Sequence, residues 1–241
     1  MKILLSFLFI LAPLQSGFAA PPKPTAPAVG RLHTGWAMTS ITPDVPVALA
    51  GQFHKRISER IETPVTATAL AIETRVGDQA IDQAIMVSCD LVIIADHIQP
   101  RLRKLLAGRL PGFDPKKLFL NATHTHSAPV TRAIAWYDVT EPGVMKPDAY
   151  VDFMLKKIAT AVETAWKNRA PSGISWGLGH AVVGSNRRMV YRTAQGQLPF
   201  GGGTATMYGR NNIPDFLSVE GSEDTGIEML FFWNDKKKLT G

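Results

Sequence analysis

The amino-acid sequence predicts an α/β fold, a layered domain in which helices flank a mixed β-sheet. Segments rich in β-branched residues alternate with two segments of helical periodicity, and this alternation is typical of layered α/β domains. A chain of 241 residues, 45% of them hydrophobic, is long enough to bury one sizeable core. The single cysteine, Cys89, cannot close an intramolecular disulfide, so a small disulfide-stabilised domain is excluded.

The N-terminal residues 1–19 have the pattern of a secretory signal peptide. Lys2 precedes an apolar stretch of about 12 residues, which suits a signal-peptide core and is too short to span a bilayer. We predict cleavage after Ala19; a buried N-terminal helix or strand is the alternative for this stretch. Residues 20–29 form a proline-rich linker, and we expect the folded domain to occupy residues 30–241. These assignments predict a secreted or periplasmic protein.

The predicted strands follow from runs of β-branched and aromatic residues. Residues 65–76 and 81–87 form neighbouring strands joined by a Gly-Asp turn. Residues 117–125 form a third strand. Residues 174–183 and 227–233 form two more strands after the second helix.

Two segments have the periodicity of helices. Residues 91–106 are predicted to be helical, with Pro100 either kinking the helix or marking its true start. Residues 148–167 form the clearest helix, because apolar residues recur at helical spacing and Asp148 is a suitable N-cap.

The chain is basic, but its positive charge is not concentrated on one segment. The net charge is +6, and the lysines and arginines are scattered along the sequence. The densest run, Lys236 to Lys238, follows Asn234 and Asp235 and is typical of a solvated hairpin turn. Because no basic stripe with interleaved aromatic residues is present, nucleic acid is not an expected partner.

Two histidines carry the clearest chemical signal. His124 and His126 lie near the end of the predicted strand 117–125, and residues two apart in a strand point to the same face. The pair can therefore present two imidazoles to one zinc ion. Zinc takes three or four protein ligands, so the pair alone is part of a site, and two structural histidines are the alternative interpretation.

The residues that could complete a metal site with this pair are His33, His54, His97, His180, Asp90 and Asp224. Asp90 is the best of these because it ends a buried strand, where sites in α/β sheets form, although we favour its role as the cap of the following helix. Residues 52–60 form a polar loop, interpreted as a surface turn, with the wall of a substrate site as the alternative. Cys89 is expected to be an inert buried thiol.

Four segments resemble, in sequence order, the N-terminal part of the neutral/alkaline (non-lysosomal) ceramidase family, particularly its shorter bacterial secreted relatives. They are residues 35–43 (GWAMTSITP), 88–90 (SCD), 121–129 (NATHTHSAP) and 186–188 (NRR). The run ATHTHS is the most specific of them. The four segments are spread over most of the chain from Gly30 onward.

The resemblance implies a zinc-dependent amidase. In this family the metal polarises an amide carbonyl and activates water, and the best-known substrate is the N-acyl bond of ceramide. His124 would be the zinc ligand, and His126 would lie beside it near the substrate. Arg187 and Arg188 would bind a carboxylate or stabilise the developing oxyanion, or else form an ordinary surface ion pair. The implied partners are an N-acyl lipid or a small amide, with peripheral contact to a membrane.

Departures from the family pattern leave ceramide specificity open. Ser40 stands where the family usually has an aspartate, and Ala128 follows the histidines where ceramidases have a glycine-rich turn. The resemblance places a second zinc histidine and later catalytic residues after residue 241, so we expect a domain truncated at its C-terminus with an incomplete zinc site. The alternatives are another metal-dependent hydrolase, an esterase or phosphoesterase using the same histidines, and a non-catalytic remnant or binding protein.

Overall fold

The structure is a computed structural model that describes residues 29–198 and 201–241. The predicted signal peptide, residues 1–19, and all but the last residue of the predicted linker lie outside the described residues. Within the described ranges, no helix combines the length and the apolar character needed to cross a membrane.

Strands account for most of the secondary structure, and two helices lie between them. The strands in chain order are β1 (Arg31–Ser40), β2 (Ala48–Leu49), β3 (Arg56–Ile57), β4 (Thr66–Val76), β5 (Gln79–Cys89), β6 (Leu118–Ala122), β7 (Ala170–His180), β8 (Arg188–Tyr191), β9 (Gln197–Leu198), β10 (Gly201–Gly202), β11 (Ala205–Met207), β12 (Phe216–Val219) and β13 (Gly226–Asn234). The helices are α1 (Ile98–Leu105) and α2 (Pro147–Lys167), with short 3-10 turns at Pro115–Lys117 and Ala135–Tyr137.

Six strands form the main sheet, in the order β13-β7-β1-β4-β5-β6. β5 and β6 are parallel, and the other neighbouring strands of this sheet are antiparallel. The prediction of a mixed sheet with flanking helices is therefore confirmed. Because β5 and β6 run parallel, their carboxyl ends meet at one edge of the sheet, and the loops that follow them start side by side.

The main core lies between this sheet and α2. Alternate residues of β4 (Ala67 to Ala71) and of β5 (Ile85 to Cys89) are buried, as expected for strands with one covered face. The small alanines of β4 let α2 pack close to the sheet. The approach is tightest at Gly35 of β1, where an added Cβ would lie 2.8 Å from the backbone nitrogen of Arg169 and closer still to a helix carbonyl. Only glycine fits there without moving the helix.

Both predicted helices are present, but they start at different residues. α1 begins at Ile98 rather than at residue 91, and Pro100 lies in its first turn, where the missing N–H costs no helical hydrogen bond. α2 begins at Pro147, so Asp148 lies inside the first turn and the prediction that it caps the helix is wrong. Its negative charge there interacts favourably with the helix dipole.

The predicted hairpin turn after the last strand is present. Asn234 Oδ1 accepts hydrogen bonds of 3.0 Å from the backbone N–H groups of Lys236 and Lys238. The chain then returns along β13, where the Thr240 N–H donates to the Phe232 carbonyl at 2.8 Å. The three lysines are therefore in an exposed turn.

Strands β7 and β13 expose apolar side chains at one end of the main sheet. Trp176, Leu178 and Leu230 are 79%, 64% and 59% exposed. Trp176 and Leu230 are paired across the two strands, so they share one face of the sheet. The apolar side chains of this face are exposed, whereas those of the part of the sheet that α2 covers are buried.

Candidate functional site

The candidate site lies at the carboxyl ends of β5 and β6. The segment that follows β6 remains hydrogen-bonded to the segment that follows β5. The Thr123 N–H donates to the Cys89 carbonyl, and the His124 N–H donates to the Leu91 carbonyl, each at 3.0 Å. The two segments thus leave the sheet together, at the edge where ligand sites of α/β sheets form.

His124 and His126 meet at this edge, but not in the way that the sequence predicts. The strand ends at Ala122, so the prediction that it continues to residue 125 is wrong. His124 has a left-handed backbone with φ of 65°. This turn, rather than strand alternation, brings the two rings together, with their Nε2 atoms 3.4 Å apart. Both side chains are exposed at the surface of the described chain.

A backbone carbonyl fixes the orientation of the His124 ring. Nδ1 of His124 lies 2.7 Å from the carbonyl oxygen of Val92. Because a carbonyl can only accept, Nδ1 carries the hydrogen, and the neutral ring presents an unprotonated Nε2 toward His126. Histidine ligands of metals are oriented by this kind of outer contact. His124 is therefore held in the tautomer and position that a metal ligand requires.

The spacing of the two Nε2 atoms fits zinc coordination. Zinc binds histidine nitrogen at about 2.0–2.1 Å, and tetrahedral geometry then places two nitrogen ligands about 3.3–3.4 Å apart. The observed separation of 3.4 Å agrees with this value. The described residues hold no group of three or more His, Cys, Asp or Glu side chains that could bind a metal ion. The pair could therefore fill two positions of a four-ligand site, and the described residues supply no others.

His126 rests against the backbone of Gly51. A Cβ added at Gly51 would lie 2.5 Å from the Cβ of His126 and closer still to its ring. Gly51 also has φ of 101°, a conformation that side chains disfavour. The Gly51 N–H donates to the hydroxyl of buried Tyr137 at 3.1 Å, and this hydroxyl in turn donates to the Gln52 carbonyl. The loop under His126 is therefore held in one conformation.

We expect Gly51→Ala to displace His126 and to weaken metal binding by about tenfold or more, an effect typical of losing the support of a ligand. The methyl group has no room unless His126 moves. The measurement is zinc affinity by competition with a chelating dye. Gly77→Ala is the matched control, because Gly77 has φ of 57° but no atom within 4 Å of an added Cβ. Equal zinc affinities for the two variants would contradict this prediction.

Asp90 joins three segments of the fold instead of capping a helix or facing the histidines. Its Oδ2 accepts hydrogen bonds of 2.8 Å from both the N–H and the hydroxyl of Thr66, and its Oδ1 accepts from the Thr123 hydroxyl at 3.3 Å. The favoured prediction of a cap is wrong because α1 begins only at Ile98. Asp90 thus ties the start of β4 to the segment that carries the histidines.

The other candidate ligands lie apart from the pair or have other bonds. His33 is on β1 with its Nδ1 3.3 Å from a backbone carbonyl, and Asp224 accepts from the Gly226 N–H at 2.8 Å. His97 precedes α1, and its buried Nε2 has no hydrogen-bond partner among the described residues. His180 is an exposed residue at the end of β7. His54 is exposed in the loop after Gly51. Within the described residues, no third histidine, cysteine or carboxylate joins the pair in a group that could bind a metal.

Cys89 is unsuited to nucleophilic chemistry. Burial, and to a lesser extent the negative charge of Asp90, raises the pKa of its thiol to about 12. The thiolate is the reactive form of cysteine, and it is scarcely populated at neutral pH with such a pKa. This agrees with the prediction of an inert thiol.

Arg187 and Arg188 lie on or beside a separate three-stranded sheet, β11-β8-β12. Arg188 forms an ion pair with Glu220, and Arg187 donates to the Tyr208 hydroxyl at 2.6 Å. Within the described residues, no hydrogen bond or ion pair joins either arginine to the histidines. Arg188 thus makes the predicted surface ion pair, and the substrate role of both arginines stays a prediction.

A cavity of about 700 Å³ lies on the other side of the histidine segment. Thr125 and Ser127, which alternate with the two histidines, contribute to its wall, whereas the histidines do not. Residues 42–47 and 58–65 form most of the remaining lining. The sequence contains a signal for this cavity only in the prolines of those two segments, because proline lacks an N–H and favours an extended chain before it.

The fold and the site together define a mixed α/β domain with a two-histidine centre at the ends of parallel strands. No protein-family model matches the chain, and no curated protein sequence matches it. Solved structures do match, among them two ceramidases. Neutral ceramidase from Pseudomonas aeruginosa is 20% identical with a TM-score of 0.62, and the match covers 88% of this chain and 31% of that one. A ceramidase in complex with C2 is 20% identical with a TM-score of 0.60, covering 88% and 30%.

These matches establish the fold. The chain has the fold of part of a neutral ceramidase, and it spans about a third of the length of the structures it matches. The resemblance drawn from the four sequence segments is therefore confirmed for the fold.

Proposed function

We propose that the protein is a secreted or periplasmic zinc-dependent amidohydrolase of the ceramidase type, and that this chain carries part of its active site. The reaction is hydrolysis of the N-acyl amide bond of a lipid or of a smaller linear amide. The observation that carries the proposal is the 3.4 Å separation of the two Nε2 atoms, with His124 locked to the Val92 carbonyl, on this fold. Export is supported by the sequence pattern of residues 1–19.

His124 is the proposed zinc ligand. Its Nε2 is unprotonated in the neutral ring because Nδ1 donates to the Val92 carbonyl at 2.7 Å. Bound zinc would supply Lewis-acid polarisation of the amide carbonyl and activation of water. In the proposal, the remaining ligands come from outside residues 29–198 and 201–241, because the described residues contain no further suitable group.

His126 lies beside this ligand, either in the coordination sphere or in contact with the substrate amide. Its Nε2 is 3.4 Å from that of His124, so it can act on atoms held at the metal. The loop around Gly51 keeps its ring in this place. The two roles differ in a measurable way: His126→Asn loses zinc if His126 coordinates, and keeps zinc but loses turnover if it contacts the substrate.

Metal removal tests the proposal. We expect the purified protein, with the remaining proposed zinc ligands present, to contain about one equivalent of zinc by elemental analysis and to hydrolyse a fluorogenic N-acyl amide. Treatment with a chelator is expected to abolish hydrolysis, and added zinc is expected to restore it. A protein that binds no zinc would contradict the proposal. Two metals with hydrolysis of a phosphate ester in place of the amide would point instead to a phosphoesterase.

A further inference from the structure

A short antiparallel pairing runs toward His126 and stops just before it. The Ala50 N–H donates to the Ala128 carbonyl at 2.9 Å. In an antiparallel ladder, the next bonded position lies two residues ahead on one chain and two residues back on the other. Gln52 would therefore face His126, and its N–H would donate to the His126 carbonyl.

The turn at Gly51 prevents this next bond, and Arg56 takes its place. Gly51 has φ of 101°, which directs the chain away from the ladder. A single nitrogen of Arg56, Nη2, donates to the Ala50 carbonyl at 2.8 Å and to the His126 carbonyl at 2.6 Å. These are charge-assisted hydrogen bonds, which are stronger than bonds between neutral groups. Arg56 thus joins the two chains where the backbone cannot.

The position of Arg56 is itself well fixed. It lies on β3 and pairs with Leu49 of β2, so its backbone is held on the same small sheet that leads to Gly51. Its side chain is half-buried, and its Nε is buried with no hydrogen-bond partner among the described residues. Burial of an unsatisfied donor is unfavourable, and the bonds of Nη2 to the two carbonyls offset part of that cost.

We infer that Arg56 is the positioning residue of His126. It holds the His126 backbone against the Gly51 loop and so sets the 3.4 Å spacing of the histidine pair. The inference rests on the proposed function for its catalytic consequence, but the contact itself exists without metal or substrate. The polar loop 52–60 is accordingly part of the site's support, not only a surface turn.

The test compares Arg56→Met with Arg60→Met. Both substitutions remove one positive charge from the same segment, but Arg60 is exposed and pairs only with exposed Glu62 among the described residues. The first measurement is the NMR signal of the histidine ring nitrogens in the zinc-free protein. We expect Arg56→Met to shift the His126 signals and to leave in place the His124 Nδ1 signal, because that nitrogen is held by the Val92 carbonyl. Arg60→Met is expected to change neither signal. An unchanged His126 signal in Arg56→Met would overturn the inference.

The second measurement is turnover of the fluorogenic N-acyl amide. Arg56→Met is expected to lower kcat about tenfold, as outer contacts of metal sites typically do, with little change in KM because Arg56 does not contact substrate. If wild-type protein shows no zinc and no hydrolysis, the proposed function fails, while the ring signals still decide the role of Arg56. An effect confined to KM would overturn the positioning role.

Arg56→Lys provides a rescue and remains informative if Arg56→Met does not fold. Both bonds start from one nitrogen, Nη2, and the lysine ammonium also offers several donors from one nitrogen. We therefore expect the His126 ring signal and kcat of Arg56→Lys to lie close to those of wild type. A folded Arg56→Lys protein with a displaced His126 signal would show that bridging by one nitrogen is not what holds His126.

Discussion

Replacing His124 by asparagine is expected to remove bound zinc and amide hydrolysis together. The substitution deletes Nε2, the proposed zinc-binding atom of a ring that the Val92 carbonyl orients through Nδ1. We expect zinc affinity to fall at least 100-fold, which exceeds the roughly 10- to 100-fold loss that follows from removing an outer contact. The measurements are zinc content by elemental analysis and kcat with the fluorogenic N-acyl amide.

Asparagine is chosen because the backbone of His124 is left-handed, with φ of 65°. Asparagine tolerates this conformation, whereas alanine there costs about 1 kcal/mol of backbone strain. With alanine, a loss of zinc caused by lower stability could not be separated from a loss caused by the missing ligand. His180→Asn is the control, since His180 is an exposed histidine at the end of β7. Full zinc content in His124→Asn would show that the histidine pair is structural.

The largest expected loss of stability comes from Glu73→Ala. Glu73 is a buried residue of β4 that accepts hydrogen bonds from Arg75 Nε at 2.7 Å and from Arg169 Nε at 2.9 Å. Arg169 also lies over the ring of Trp166, and only 12% of its side chain is exposed. Removing the carboxylate leaves this guanidinium buried without its counter-charge. We expect the free energy of unfolding to fall by about 3 kcal/mol, measured by urea denaturation.

The control for this variant is Glu62→Ala. Glu62 also pairs with an arginine, Arg60, but both side chains are more than two-thirds exposed, at 71% and 78%. Solvent-exposed ion pairs contribute little to stability, so this substitution is expected to leave the free energy of unfolding nearly unchanged. A similar loss of unfolding free energy in both variants would show that burial does not explain the contribution of Glu73 and its arginine partners to stability.

The stability that Glu73 contributes should depend on pH in a defined direction. Burial alone would raise the pKa of Glu73, but the hydrogen bonds and charges of Arg75 and Arg169 outweigh burial and hold the pKa below its ordinary value of 4.5. The folded state thus favours the ionised form more than the unfolded chain does. This contribution is complete above 4.5 and is lost as the pH falls through the folded-state pKa. The stability difference between wild type and Glu73→Gln is therefore expected to shrink in acid.

The histidine pair illustrates how far sequence reasoning reaches and where it stops. The spacing of His124 and His126, and their place at the end of an apolar strand, are enough to indicate a shared site. The way in which the rings meet has no local signal, because β6 stops at Ala122 and the turn depends on the left-handed φ of His124. The ring is then held by the Val92 carbonyl, a contact across 32 residues.

The support of His126 is hidden from the sequence for the same reason. Gly51 and Arg56 lie in or beside a segment typical of a polar surface turn, and Arg56 reaches the His126 carbonyl across 70 residues. Asp90 likewise follows a buried strand as a helix cap would, yet it bonds to Thr66 and Thr123 because α1 starts too late to be capped. The local sequence around each of these residues is compatible with more than one structural role. The residues that surround it in the folded protein determine which role it has.

Local sequence is sufficient to predict the α/β class and the existence of both helices, and to single out His124 and His126 as a candidate pair. These features follow from hydrophobic periodicity and residue type, which can be read within a single helix or strand. Tertiary contacts are needed to place β1 at the centre of the sheet, to set Gly51 under His126 and to bring two nitrogens to 3.4 Å. Such features depend on hydrogen bonds and close packing between segments far apart in the chain, and no local pattern encodes the geometry of those contacts.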